Sequence, residues 1–104
     1  MSTHPIPISF RLRRRKWTVK RDGTHPRHYA GTATPKQIVI YDEARGRKRT
    51  EPEQQKTFWH ESTHAVLMTM NHKLAHDEPF VTQFSLLLEE LIRTARFAGE
   101  EEPT

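Results

Sequence analysis

The sequence predicts an α+β fold: a small three-stranded, mainly antiparallel sheet packed by two helices. Three observations carry that prediction. Apolar residues alternate with period 2 early in the chain, a capped and unbroken helical segment runs from residue 50 to about residue 70, and apolar residues recur every three to four positions after Asp77. Strand patterns followed by helix patterns, segregated along the chain, suit a layered α+β arrangement.

The elements follow in order. Ile6, Ile8, Phe10 and Leu12 alternate, which places them on one face of a strand. The apolar phase then switches to Trp17 and Val19, so a hairpin turn or a bulge is expected across residues 13–16. Asp22-Gly23 and His25-Pro26 mark a loop. Gln37 to Tyr41, with Ile38, Val39 and Ile40 between, is the clearest strand, and residues 42–49 read as a loop. Thr50-Glu51-Pro52-Glu53 then combines a Thr N-cap, an early Pro and a Glu three residues on, which is a capping box. Residues 71–77 form a polar connection. The second helix takes Asp77 as N-cap and Pro79 in its first turn. Its apolar stripe is Phe80, Val81, Phe84, Leu87, Leu88, Leu91, Ile92 and Ala95. Residues 98–104 read as a disordered acidic tail.

Composition narrows the function classes. A chain of 104 residues, 34% of them hydrophobic, is expected to be one domain with a small core. The lack of cysteine excludes a disulfide frame and a thiolate metal site. No run approaches the roughly 18 apolar residues that a membrane span needs. The opening Met-Ser-Thr-His-Pro has no apolar signal region, so a cytoplasmic location is expected, in a host cell if the chain is phage-encoded.

Charge is segregated along the chain. Residues 1–50 hold 13 Lys/Arg against 3 Asp/Glu, whereas residues 51–104 hold 4 against 10. The dense clusters are Arg13-Arg14-Arg15-Lys16 and Arg45-Gly46-Arg47-Lys48-Arg49. Such a basic half suits nucleic acid or an acidic protein partner. Lys and Arg also protect strand edges from pairing, so charge alone leaves both readings open.

The motif that carries chemistry is His60-Glu61-Ser62-Thr63-His64. Residues i and i+4 stand one above the other on a helix, so two imidazoles at this spacing are placed to grip one metal ion. Glu61 lies about 100° around the helix, placed to act on a metal-bound water as general base. A shuffled chain with this many His and Glu would carry the pattern about one time in twenty-five, so context matters. Phe58 and Trp59 precede the motif, and Val66, Leu67, Met68 and Met70 follow it, which places it mid-helix. Glu78, at the start of the second helix, is placed to turn its carboxylate back as a third ligand. His76 and Asp77 compete with it, and His72 is more remote. By residue type, Tyr29, Tyr41, His72 and His76 are candidates to stabilise an oxyanion. The His25/His28 pair is a weaker metal candidate.

The segment Thr57-Phe-Trp-His-Glu-Ser-Thr-His-Ala65, followed by Glu78-Pro-Phe-Val-Thr-Gln-Phe-Ser85, resembles the zincin metallopeptidases of the glutamate-zincin type. It is most similar to the ImmA/IrrE-like branch and its minimal phage-encoded relatives, over about residues 36–97. In that branch a strand precedes the H-E-x-x-H helix, and a short loop leads to a helix opening E-x-x-[A/V]-x-x-[F/L]-[A/S]. Glu78, Val81, Phe84 and Ser85 fill those positions in order. The resemblance implies a minimal zincin-like fold, Zn²⁺ held by His60, His64 and Glu78, Glu61 as catalytic base, and hydrolysis of a peptide or protein substrate. This short chain is expected to lack the DNA-binding or sensing domain of larger relatives. The alternative expectation is a non-cleaving regulatory, nucleic-acid-binding or protein-binding module on the same scaffold.

Overall fold

The computed structural model describes residues 6–99. The expected acidic tail therefore lies outside the described residues from position 100 on, as do residues 1–5. Strands β1 (Ser9–Leu12), β2 (Arg15–Asp22), β3 (Gly31–Thr34), β4 (Gln37–Tyr41), β5 (Glu43–Ala44) and β6 (Arg47–Lys48) precede helices α1 (Glu51–Thr69) and α2 (Glu78–Thr94).

The fold is α+β, but the sheet is larger than three strands and is mixed. Four strands run in the order β1-β2-β4-β3, and β5-β6 form a separate two-stranded ribbon. The central β2–β4 pair is parallel, while both flanking pairs are antiparallel. Two elements escaped the sequence reading for physical reasons. Strand β3 is Gly-Thr-Ala-Thr, with no large apolar side chain to show a period. The β5–β6 ribbon has two residues per strand and lies within the segment expected to be a loop.

The phase switch at residues 13–16 is a hairpin. Leu12 pairs with Arg15, leaving Arg13-Arg14 as a two-residue turn with φ of 50° and 69°. Positive φ at both positions is the type I′ geometry that matches strand twist. Upstream the expected alternation holds except at one position: Ile6, Phe10 and Leu12 pack on the core, but Ile8 lies before β1 and is 83% exposed.

Trp17, Ile38, Ile40, Phe58 and Ala65 form the core, with Phe10 stacked on Trp17 and set edge-on to Phe58. Helix α1 begins as its capping box dictates: Thr50 Oγ1 accepts from the Glu53 amide at 3.3 Å, and Glu53 accepts from the Thr50 amide at 2.8 Å. One side of α1 faces β3 and β4 and another faces α2. That placement explains why it buries polar residues around its girth, among them Gln54, Thr57, Glu61, Thr63 and His64. Thr57, Thr63 and Thr69 satisfy their hydroxyls on the carbonyls four residues back.

Helix α2 packs chiefly on α1, so the two helices do not share the sheet as expected. Asp77 caps it by accepting from the Phe80 amide at 3.0 Å. The apolar stripe of α2 is correspondingly split. Val81 is buried, whereas Phe84, Leu87 and Leu91 are about half exposed or more. Among the described residues no helix is long and apolar enough to cross a membrane.

Candidate metal centre

Three side chains from two helices meet where α2 begins against the middle of α1. His60 Nε2 lies 2.8 Å from Glu78 Oε1, and His64 Nε2 lies 3.0 Å from Glu78 Oε2. One ligand atom from each of the three falls within 4.8 Å of the others. The helical i, i+4 spacing aligns the two imidazoles, and the Asp77 cap fixes where Glu78 enters the second helix.

Two of the competing third ligands, Asp77 and His72, are otherwise engaged. Asp77 spends its carboxylate on the helix cap. His72 accepts from the Leu74 amide at 3.0 Å within the connecting loop. His76 lies with its ring centroid 6.3 Å from that of His64 and borders the same cleft. His25 stacks on Tyr29 and accepts from the Arg27 amide.

The protonation chemistry of His64 tests whether a cation fits. Its Nδ1 lies 2.6 Å from the Ala75 carbonyl oxygen. A carbonyl only accepts, so Nδ1 carries the hydrogen. In the neutral ring Nε2 is then a bare lone pair, and it points at a carboxylate oxygen. Two acceptors at 3.0 Å repel unless positive charge sits between or upon them. A divalent metal would satisfy both acceptors at once, and the Ala75 bond is the kind of outer contact that orients a ligating histidine. Two borderline imidazoles and one hard carboxylate form a donor set that can hold zinc or another first-row divalent ion.

Glu61 sits beside this group, 8% exposed, and is not one of the three. Burial raises its carboxyl from the ordinary 4.5 to about 7. His64 acts in the lowering direction, and the Glu78 carboxylate adds to the rise. A carboxyl near neutrality exchanges protons readily at ordinary pH.

A cleft of about 780 Å³ opens over these groups. Residues 29–33 form one wall, and Thr82, Ser85 and Leu86 of α2 contribute to the other. Tyr29 and His76, two of the four candidate oxyanion donors, border this cleft, whereas Tyr41 and His72 do not.

Sequence reasoning missed Gly31 and β3. A Cβ at Gly31 would stand 2.6 Å from Thr57 Cγ2, 3.0 Å from the Val39 carbonyl oxygen and 3.1 Å from Glu61 Cγ. Only glycine lets this edge strand lie so close to the motif helix. The available signal was a glycine opening a short Thr/Ala run between two turn segments. Compared with protein-family models, curated proteins and solved structures, the chain matches none of them.

Proposed function

We propose that the chain is a zinc-dependent peptide hydrolase in which Glu61 is the general base. The observation that carries this reading is the pairing of two roles in one cleft. His60, His64 and Glu78 converge their acceptors on one point, and Glu61 stands beside them, buried and outside the ligand set. A site serving structure alone has no use for that second, proton-exchanging carboxyl.

Zinc held by the three residues would supply electrophilic polarisation of a carbonyl and acidification of a water. The protein's own groups do the rest. Glu61 accepts the water proton on its carboxylate and returns it to the departing amine. The Ala75 carbonyl keeps His64 in the tautomer that presents Nε2. Tyr29 and His76 are the donors placed along the cleft to stabilise negative charge on the substrate oxygen. Strand β3 is an edge strand lining the same cleft, so an extended peptide would align by adding to it through main-chain hydrogen bonds.

The test compares the parent protein with Glu61→Gln on a peptide library, with zinc content measured in both. The glutamine keeps shape and hydrogen bonding but accepts no proton. Hydrolysis should fall by roughly two to four orders of magnitude at unchanged zinc content. A parent that holds zinc and cleaves nothing would shift the site to a non-cleaving binding role.

A further inference from the structure

Six cations gather at one end of the sheet. Because β2 and β4 run parallel, the β1–β2 turn at Arg13-Arg14 and the β3–β4 turn at Pro35-Lys36 lie at the same end. Arg11, Arg15 and Lys16 flank the first turn. Among the described residues, none of these six has a carboxylate within ion-pair distance. The second basic run differs. It follows the other end of β4, where Arg47 pairs with Glu53 and Arg49 donates to the Tyr41 carbonyl.

Five of the six cations sit where local structure disfavours them. Arg13, Arg14 and Lys36 take φ of 50°, 69° and 72°, the left-handed region in which turns favour Asn and Gly. Arg11 and Lys16 are cross-strand partners, so like charges stand directly opposite each other. Edge protection accounts for only part of this: Arg11 lies on the edge strand β1, and Arg15 and Lys16 lie on β2 ahead of its pairing with β4, which starts at Thr18, but Arg13, Arg14 and Lys36 lie in turns. Compensation of the α1 dipole does not account for all of it either. Arg13, Arg15 and Lys36 border a cleft at the end of α1, but Arg11, Arg14 and Lys16 do not.

We infer that this end of the sheet binds the phosphate backbone of a nucleic acid. Four of the six are arginines, whose planar forks match phosphate oxygens. Of the apolar residues at this end, Leu12 and Trp17 are turned into the core, and Pro35 in the β3–β4 turn is exposed. Protein interfaces centre on large apolar or aromatic anchors, and stable membrane attachment adds a lipid chain or inserted apolar side chains to a polybasic patch. A surface dominated by charge suits binding driven by counterion release.

The test uses the intact chain and a labelled duplex and single strand of about 20 nucleotides, with anisotropy read across about 50 to 200 mM salt. Binding at low salt should weaken with a log–log slope of about −5 if all six cations neutralise phosphates. Arg13→Asn with Arg14→Gly removes two charges while giving the turn the residues it favours. This variant should melt no lower than the parent, yet bind about tenfold or more weakly, with a slope shallower by about 2. Arg45→Ala with Arg47→Ala should leave the slope unchanged, and so should chelation of metal. The inference is overturned by absent binding at low salt, by an unchanged slope in the turn variant, or by an equal loss in the control. It is also overturned if an acidic peptide or phosphatidylserine vesicles at equal charge displace the duplex as well as unlabelled duplex does.

Discussion

The Nδ1 hydrogen of His64 is bound to the Ala75 carbonyl at 2.6 Å, and this bond aims the opposite ring nitrogen at Glu78. Ala75 lies in the connection between α1 and α2, so the loop that joins the helices also sets the tautomer of the site. A ligand set drawn from both helices makes a bound ion a clamp between them. Zinc at about a hundred times its dissociation constant would add roughly 2.7 kcal/mol of stability. Chelation should therefore lower the melting temperature by on the order of 10 °C in a domain of this size. His60→Ala, His64→Ala and Glu78→Ala should each lose at least about tenfold in zinc affinity and most of that shift. Calorimetry with and without chelator checks it, and an unshifted parent would remove the metal from the account.

Gly31 sets how closely β3 approaches Glu61. Gly31→Ala forces a Cβ into Thr57 Cγ2 and the Val39 carbonyl, so β3 or α1 must move. We expect about 1–3 kcal/mol of destabilisation, as for other overpacked sites. Hydrolysis should fall further than stability explains, because Glu61 Cγ is the third atom displaced. Gly23→Ala is the control, since its Cβ would make an ordinary 3.6 Å contact with Glu43. Equal effects of the two substitutions in urea titrations and turnover would refute the close-approach role.

The two histidines of the connecting loop should separate. His76→Ala should lower turnover by roughly two orders of magnitude with zinc retained, as loss of an oxyanion donor does. His72 accepts from the Leu74 amide and is not among the residues lining the cleft, so His72→Ala should leave turnover near the parent value. Tyr29→Phe tests the other donor by the same assay. Full turnover in both His76→Ala and Tyr29→Phe would leave the oxyanion to other groups.

Acid should loosen the start of α1. The Thr50 amide, the Arg47 guanidinium and the Thr50 hydroxyl hold the Glu53 carboxyl at about 2, below its ordinary 4.5. A carboxyl depressed by folding contributes stability that is full above 4.5 and is lost as pH falls through 4.5 towards 2. Glu53→Gln should flatten stability against pH in that window and leave the neutral limb sloped as in the parent. Thr50→Ala should cost about 1 kcal/mol at neutral pH. Melting curves across pH 2–6 check both, and an unchanged acid limb in Glu53→Gln would refute the assignment.

Local chemistry made both helices legible in the sequence. Thr50 and Asp77 cap because their side-chain oxygens reach amides two or three residues on, and the i, i+4 histidines align because a helix turns every 3.6 residues. The clearest strand, Gln37–Tyr41, showed itself because Ile38 and Ile40 are large and fully buried. Only the tertiary structure decided what depends on contacts between distant segments. The parallel β2–β4 register, the edge placement of β3 against Glu61 and the meeting of Glu78 with His60 and His64 are of that kind. So is the outward turn of Leu87 and Leu91, because periodicity records two apolar faces of a helix but not which of them finds a partner. The Ala75 carbonyl lies furthest from the reach of sequence, since a backbone acceptor has no residue type to betray it and only the loop's path brings it to His64.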